Sequence, residues 1–375
     1  MKVLNLIWKY TTGGIGKCFI TYSKCGIVDE NVKVLSACID PQSFNYDRKP
    51  LERINAIIIK LRNRWDLSWI NKVYELIKKE EPDVIFTHGL YGPIIVSIVK
   101  LFHPSIRTIP MVGSYHGLYN PPTKATVPIA SFFNNLQVWI YKHFTSKVVI
   151  VSRFSGQYLL NKGLKEDKIS VVYNGLPDKG NDFECNVNLP KNVINIGLTA
   201  RIDAIKGIDY LLEALADIIK ERKNIHLYII GDGPLEQEMK TLASNLKVDK
   251  YVTFTGYQNN ISSWLHELDI FVLPSLQENH SIALLEAMRE GKAIVCTDVG
   301  GNTESVTNEI EALIVPSKDK DALSRSLSLL IESEELRLKL GTAARKRFNL
   351  QFTENRTLQD LIEVFKSINC YENKN

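Results

Sequence analysis

The chain of 375 residues lacks several features that would fix its class at once. It has no stretch of about 18 apolar residues, so no membrane-spanning helix is expected. The nearest run, Ile94 to Phe102, is short and interrupted by Lys100. Cysteine is scarce: six residues, at positions 18, 25, 38, 185, 296 and 370, show no zinc-like pairing and are too sparse for a disulfide framework. A reducing cytoplasm is the expected location. Charge of one sign is also lacking. The formal net charge is +4 with 23% charged residues, which gives no argument for a nucleic-acid partner. There is no internal repeat and no low-complexity tract. Met1 to Ile7 reads as a strand before a glycine turn rather than as a secretory leader. The formal glycosylation acceptor Asn279-His280-Ser281 falls inside the best candidate site, a poor arrangement for a secreted protein.

What is present is an apolar fraction of 45%, enough for real cores, in a length that suits two or three domains. Short apolar runs alternate with longer amphipathic segments. Strands are expected at 3–7, 32–39, 84–87, 109–113, 148–152 and 169–173. A second series is expected at 195–199, 226–230, 252–255, 270–273, 293–296 and 312–314. Most are continuous rather than alternating, as parallel strands covered on both faces should be. The fold class is therefore α/β, built as two doubly wound, Rossmann-like domains. The polar stretch 176–192, rich in Asn, Asp, Pro and Gly, reads as a linker between residues 1–175 and 193–352. Two such domains facing each other would enclose a cleft, the default ligand site. Leu358, Leu361, Ile362, Val364, Phe365 and Ile368 have helical spacing and mark a terminal amphipathic helix over 353–371.

The candidate chemistry lies in the loops after the strands. Gly13 and Gly14 follow the first strand and open a helix. There they either present amides to an anion or make a tight turn. Arg201 and Lys206, bracketed by a strand end and Gly207, form a candidate diphosphate clamp. Glu278 precedes a helix starting near Ser281, where the amides around His280, Ser281 and Ile282 form an anion site. Glu278 is placed to meet sugar hydroxyls. Glu286, eight residues on, sits on an otherwise apolar helix and either meets ribose hydroxyls or bonds a neighbouring backbone. Glu304 follows Gly300-Gly301 and serves a ligand or simply opens a helix. Gly231 and Gly256-Tyr257 end two further strands, where backbone and ring contacts to a base are expected. In the first half, His116 before Gly117 and, less strongly, His88 before Gly89 stand at strand ends.

Taken in order, these features resemble glycosyltransferase family 4, of the GT-B type. The matching pieces are Gly13-Gly14, Val171-Val172-Tyr173-Asn174-Gly175, Gly197 with Arg201 and Lys206-Gly207, Gly231-Asp232-Gly233-Pro234, Glu278 with Glu286, and Gly300-Gly301 with Glu304. The resemblance spans nearly the whole chain and is more specific in its second half. It implies a nucleotide sugar bound mainly by the second domain. Arg201 and Lys206 would hold the diphosphate, Glu286 the ribose, Glu278 the donor sugar, and His116 would lie near that sugar. It further implies transfer with retention, no metal or other cofactor, and a terminal helix that crosses back to the first domain. This sequence departs at His280-Ser281, where the family often has a Gly- or Pro-rich stretch. It departs again at Ile15-Gly16-Lys17, where an acidic–basic pair is common. A UDP-sugar epimerase of the same fold and a non-catalytic nucleotide-sugar-binding subunit are the alternatives.

The acceptor is expected to be a glycan or a lipid-linked glycan, in surface polysaccharide biosynthesis. Arg48, Lys49, Arg53, Lys60, Arg62 and Arg64 precede Trp65 and Trp69. A second aromatic group is Phe132, Phe133, Trp139, Tyr141 and Phe144. Such a combination suits peripheral contact with an anionic membrane, with core packing of the aromatics as the other reading.

Overall fold

The computed structural model describes residues 1–10, 14–40, 48–63, 65–117, 127–178 and 185–372. They form two compact units, Met1–Asn174 with Glu354–Asn375, and Gly175–Thr353.

The first unit holds a seven-stranded parallel sheet of β1 (Lys2–Ile7), β2 (Lys33–Asp40), β3 (Ile57–Lys60), β4 (Val84–His88), β5 (Met111–Tyr115), β6 (Lys147–Ile150) and β7 (Ile169–Val171). Their order is β3-β2-β1-β4-β5-β6-β7. The second unit holds six parallel strands, β8 (Ile194–Thr199), β9 (Ile225–Ile230), β10 (Val252–Gly256), β11 (Ile270–Leu273), β12 (Ala293–Thr297) and β13 (Leu313–Val315). Their order is β10-β9-β8-β11-β12-β13. Central strands such as β4 and β11 are buried along their whole length, which explains why they read as unbroken apolar runs. β3 is the strand that sequence reading missed. It is a short edge strand, Ile57-Ile58-Ile59-Lys60, half-exposed and set among basic residues.

Helices cover both faces by ordinary amphipathic spacing. The helix Trp69–Glu80 buries Trp69, Val73, Leu76 and Ile77 and stops where Glu81 turns left-handed at φ 44°. The terminal helix Glu354–Glu372 belongs to the first unit. Leu358, Leu361, Ile362 and Phe365 pack with Val3, Tyr22 and Phe86. Its start is pinned by Lys24 Nζ on Glu354 Oε1 at 2.8 Å and by Thr357 Oγ1 donating to the Tyr173 carbonyl at 2.9 Å.

The stretch expected to be a linker departs from that reading. The described residues 175–178 and 185–192 belong to the second unit, and residues 179–184 lie outside the described residues. Leu176 N donates to the Phe352 carbonyl at 3.0 Å, Leu189 is buried, and Asn195 Nδ2 donates to the Pro190 carbonyl at 3.0 Å. Polar composition hid these anchors.

Each sheet reverses its winding once, between β1 and β4 and between β8 and β11. Such a reversal, at the carboxyl edge of the strands, is where ligands of open α/β sheets bind.

The terminal helix is part of the first unit's core, so Phe365→Ala should cost about 3–5 kcal/mol. Its ring lies 5.2 Å from that of Phe86. Urea unfolding followed by tryptophan fluorescence checks this; an unchanged midpoint would mean the helix docks without contributing.

Candidate active site

In the second unit the winding reversal brings together the loops after β8 and β11. The β8 loop carries Arg201, whose side chain is 71% exposed, with Nε 3.8 Å from Asp203 Oδ2. Asp203 caps the one-turn helix Ala204–Lys206 by accepting from Ile205 N at 3.3 Å. Gly207 then turns left-handed at φ 61°. The β11 loop runs back beneath it. Leu276 N donates to the Ile205 carbonyl at 2.7 Å, and a Cβ on Gly207 would lie 2.2 Å from the Pro274 carbonyl oxygen.

This contact delivers Lys206 to Glu278. Lys206 Nζ lies 2.7 Å from Glu278 Oε1, and Ser275 Oγ donates to the same oxygen at 2.7 Å. Both charged side chains are largely buried, at 19% and 10% exposure. Sequence reading gave these two residues separate tasks and grouped Lys206 with Arg201. The structure instead makes Lys206 and Glu278 one ion pair and leaves Arg201 on the surface. Ser275 was missed; its only sequence signal is a hydroxyl three residues before Glu278.

Ser281 is the N-cap of the helix Ile282–Arg289, its hydroxyl accepting from Leu284 N at 3.3 Å. The amides of Ile282 and Ala283 have no partner within the helix, as first-turn geometry dictates. Glu286 is half-buried on this helix. His280 is buried, with its ring 5.5 Å from that of Phe352, and burial pushes its pKa down to about 3. Glu304 lies in the one-turn helix Asn302–Ser305, its carbonyl accepting from Arg347 Nη2 at 2.9 Å. Gly300, left-handed at φ 58°, approaches Glu278 so closely that a Cβ would sit 1.7 Å from the Glu278 carbonyl oxygen. Gly231 N donates to the Gly256 carbonyl at 3.0 Å, and Tyr257 beyond it is 66% exposed.

In the first unit Gly14 begins the helix Gly14–Tyr22, while Gly13 lies outside the described residues. His116 follows β5, with Nε2 2.7 Å from Ser114 Oγ, and burial pushes its pKa down to about 4. His88 ends β4 and is buried. The aromatics divide between the two expected roles. Trp69 and Tyr141 are buried, whereas Trp65, Phe132 and Trp139 are exposed. Arg64 lies outside the described residues. No helix among the described residues is long and apolar enough to cross a membrane. Among those residues, no group of three or more His, Cys, Asp or Glu is arranged to hold a metal ion.

Two family models match the chain: Glycosyltransferase Family 4 over residues 29–179 and Glycosyl transferases group 1 over residues 184–347. The chain belongs to glycosyltransferase family 4. It is a glycosyltransferase with a GT-B type fold. An uncharacterized glycosyltransferase of Methanocaldococcus jannaschii is 24% identical, with 98% of each chain covered. The N,N'-diacetylbacillosaminyl-diphospho-undecaprenol alpha-1,3-N-acetylgalactosaminyltransferase of Campylobacter jejuni is 30% identical over 60% of this chain and 61% of that protein. Among solved structures, Anabaena HepE in complex with UDP superimposes with a TM-score of 0.81 at 19% identity, covering 98% of this chain and 100% of that one. Relatives of this family 4 glycosyltransferase thus act in polysaccharide and lipid-linked biosynthesis.

The glycine contacts make a contrasting pair of expectations. Gly300→Ala should cost more than about 2 kcal/mol, because it combines a positive φ with a backbone clash and pushes the Glu278 loop off Lys206. Gly14→Ala meets nothing within 4 Å and should stay within about 0.5 kcal/mol of the parent. Chemical denaturation of the two variants side by side decides it; equal stabilities would refute the interlock.

Proposed function

We propose that this glycosyltransferase moves a sugar from a nucleoside-diphosphate sugar to a hydroxyl of a glycan or lipid-linked acceptor. The anomeric configuration is retained and no metal takes part. The observation that carries the reading is the Lys206–Glu278 ion pair at the winding reversal of the second sheet, beside the N-terminus of the helix Ile282–Arg289.

The leaving group is a diphosphate, so negative charge grows on its oxygens as the C1–O bond breaks. Lys206 and the first-turn amides supply positive charge fixed in advance, the most effective form of electrostatic catalysis, and Arg201 adds a second cation from the surface. Glu278 and Ser275 hold Lys206 in place, so little reorganisation is needed. Glu278 Oε2 lies outside both of those bonds and is assigned to a donor-sugar hydroxyl. Glu286 takes the ribose hydroxyls, while Gly231 and Tyr257 meet the base. On the same face of the sugar, the acceptor hydroxyl passes its proton to the departing phosphate oxygen as its own oxygen bonds C1.

The acceptor side rests on the exposed ring face of the helix Val127–Phe144. Phe132 and Trp139 are 63% and 50% exposed, and Leu101 and Phe102, at the end of the helix packed against it, are 64% and 65% exposed. The Campylobacter relative is named for a diphospho-undecaprenol acceptor. A lipid-linked acceptor at the cytoplasmic membrane face fits both observations.

Arg201→Ala should lower kcat/KM about 10- to 100-fold, the loss of a charged phosphate contact. Lys206→Ala should exceed it, because it also leaves Glu278 without its counter-ion. The donor is identified first by thermal shift against UDP, GDP, ADP and their sugars, since a ligand of the folded state raises its stability. Parental turnover in both variants would remove the cationic site from the mechanism. Flotation with anionic vesicles at low salt should recover the parent protein and several-fold less of a Phe132→Ser/Trp139→Ser double variant; no association by the parent would sink the membrane reading.

A further inference from the structure

The winding reversal of the first sheet holds a polar arrangement of a different kind. Asn5 on β1 and His88 on β4 face each other across it, both fully or almost fully buried. Asn5 Nδ2 donates to the Phe19 carbonyl at 3.2 Å and contacts Ser36 Oγ at 3.1 Å. With both amide protons engaged, Asn5 Oδ1 is an acceptor. It lies 2.6 Å from His88 Nε2, which therefore carries the proton. His88 Nδ1 is left as the lone-pair nitrogen, buried and without a hydrogen-bond partner among the described residues.

The walls around His88 are rings. Phe86, Phe19 and Tyr22 have centroids 4.6, 5.5 and 5.7 Å away, and His116 completes the set at 6.3 Å with its plane 26° from parallel. His116 is turned by its 2.7 Å contact with Ser114, the residue in register with His88 on β5. Among the described residues, the titratable groups packed against His88 include Tyr22 and, through it, Cys18. Burial raises the pKa of both, so both are neutral.

We propose that His88 is a positioning residue for His116: locked in one tautomer by Asn5, it fixes the ring of the half-buried His116 by stacking and covers the face of that ring turned toward it. The functional meaning rests on the reading, implied by the family resemblance, that His116 lies near the donor sugar. The sugar gains positive charge at the transition state. A neutral imidazole tolerates that charge, whereas an imidazolium would oppose it. Burial holds both rings' pKa below the ordinary histidine range, in line with this role.

The test is histidine-selective 15N NMR of the full chain across pH 4–8, with His88 and His116 assigned by single Gln variants. In the parent, His88 should show a protonated Nε2 and a bare Nδ1, and His116 should not titrate above pH 5. In His88→Ala, water enters and the His116 midpoint should rise by at least about one pH unit, a tenfold change in proton affinity. His88→Gln keeps a neutral donor toward Asn5 and should restore the silent His116. Identical His116 titration in the parent and His88→Ala would overturn the proposal. If His88→Ala does not fold, ordinary independent titration of both rings in the parent overturns it equally. UDP, GDP and ADP sugars are then added to the parent. His116 signals that ignore all of them, with the pair intact, would sink the donor placement while leaving the pairing standing.

Discussion

The second unit depends on one constraint: the loops after β8 and β11 must meet closely enough for Lys206 and Glu278 to share a buried contact of 2.7 Å. Burying either charge alone would be strongly unfavourable, so the ion pair and the loop geometry require each other. The loops are sewn together by the Leu276–Ile205 backbone bond and by Gly207, which fits where a side chain would strike the Pro274 carbonyl. Gly300 performs the same service from the loop after β12, against the Glu278 carbonyl. Three strand-end loops thus converge on one residue, Glu278, and two glycines make the approach sterically feasible.

That geometry explains what was legible in the sequence. Continuous apolar runs announce buried parallel strands, so β1, β4, β8 and β11 could be read within a residue or two of where they lie. β3 escaped because an edge strand needs only part of that burial, and Lys60 ends it in a basic stretch. Glycines after strand ends marked the loops that matter, since each answers a local backbone demand. The partnerships between loops were not legible. Lys206 and Glu278 are 72 residues apart, and Asn5 and His88 are 83 apart. Spacing along the chain carries no trace of either. The stretch 176–192 misled for the same reason: the Leu176–Phe352 and Leu189–Glu267 bonds attach it to residues far along the chain.

The two winding reversals use the same topology for opposite electrostatics. In the second sheet the strand-end loops present an ammonium, a carboxylate and a guanidinium. In the first, the neighbouring strands present an amide and two imidazoles kept neutral by burial. A parallel sheet imposes neither pattern; it only brings two loops or two strand ends together at its carboxyl edge. What differs is solvation. Arg201 reaches water and keeps its charge at little cost, and Lys206 keeps its charge through Glu278. Among the described residues His88 is faced by rings and the Asn5 amide, and such surroundings stabilise the uncharged form.

On the proposed reading this division matches the charge that group transfer creates. Breaking the bond between C1 and the phosphate oxygen makes two opposite charges a bond length apart. A cation beside the phosphate stabilises one of them; a cation beside the sugar would destabilise the other. An active site that supplied positive charge indiscriminately would cancel much of its own benefit. The useful arrangement concentrates cations on the element that grips the diphosphate and keeps positive charge off the groups assigned to the sugar. One carboxylate, Glu278, sits with the first set because it both fixes Lys206 and offers a partner to a hydroxyl. The separation therefore follows from the chemistry of the bond being broken, and the sequence achieves it by choosing which strand-end side chains have a counter-ion within reach.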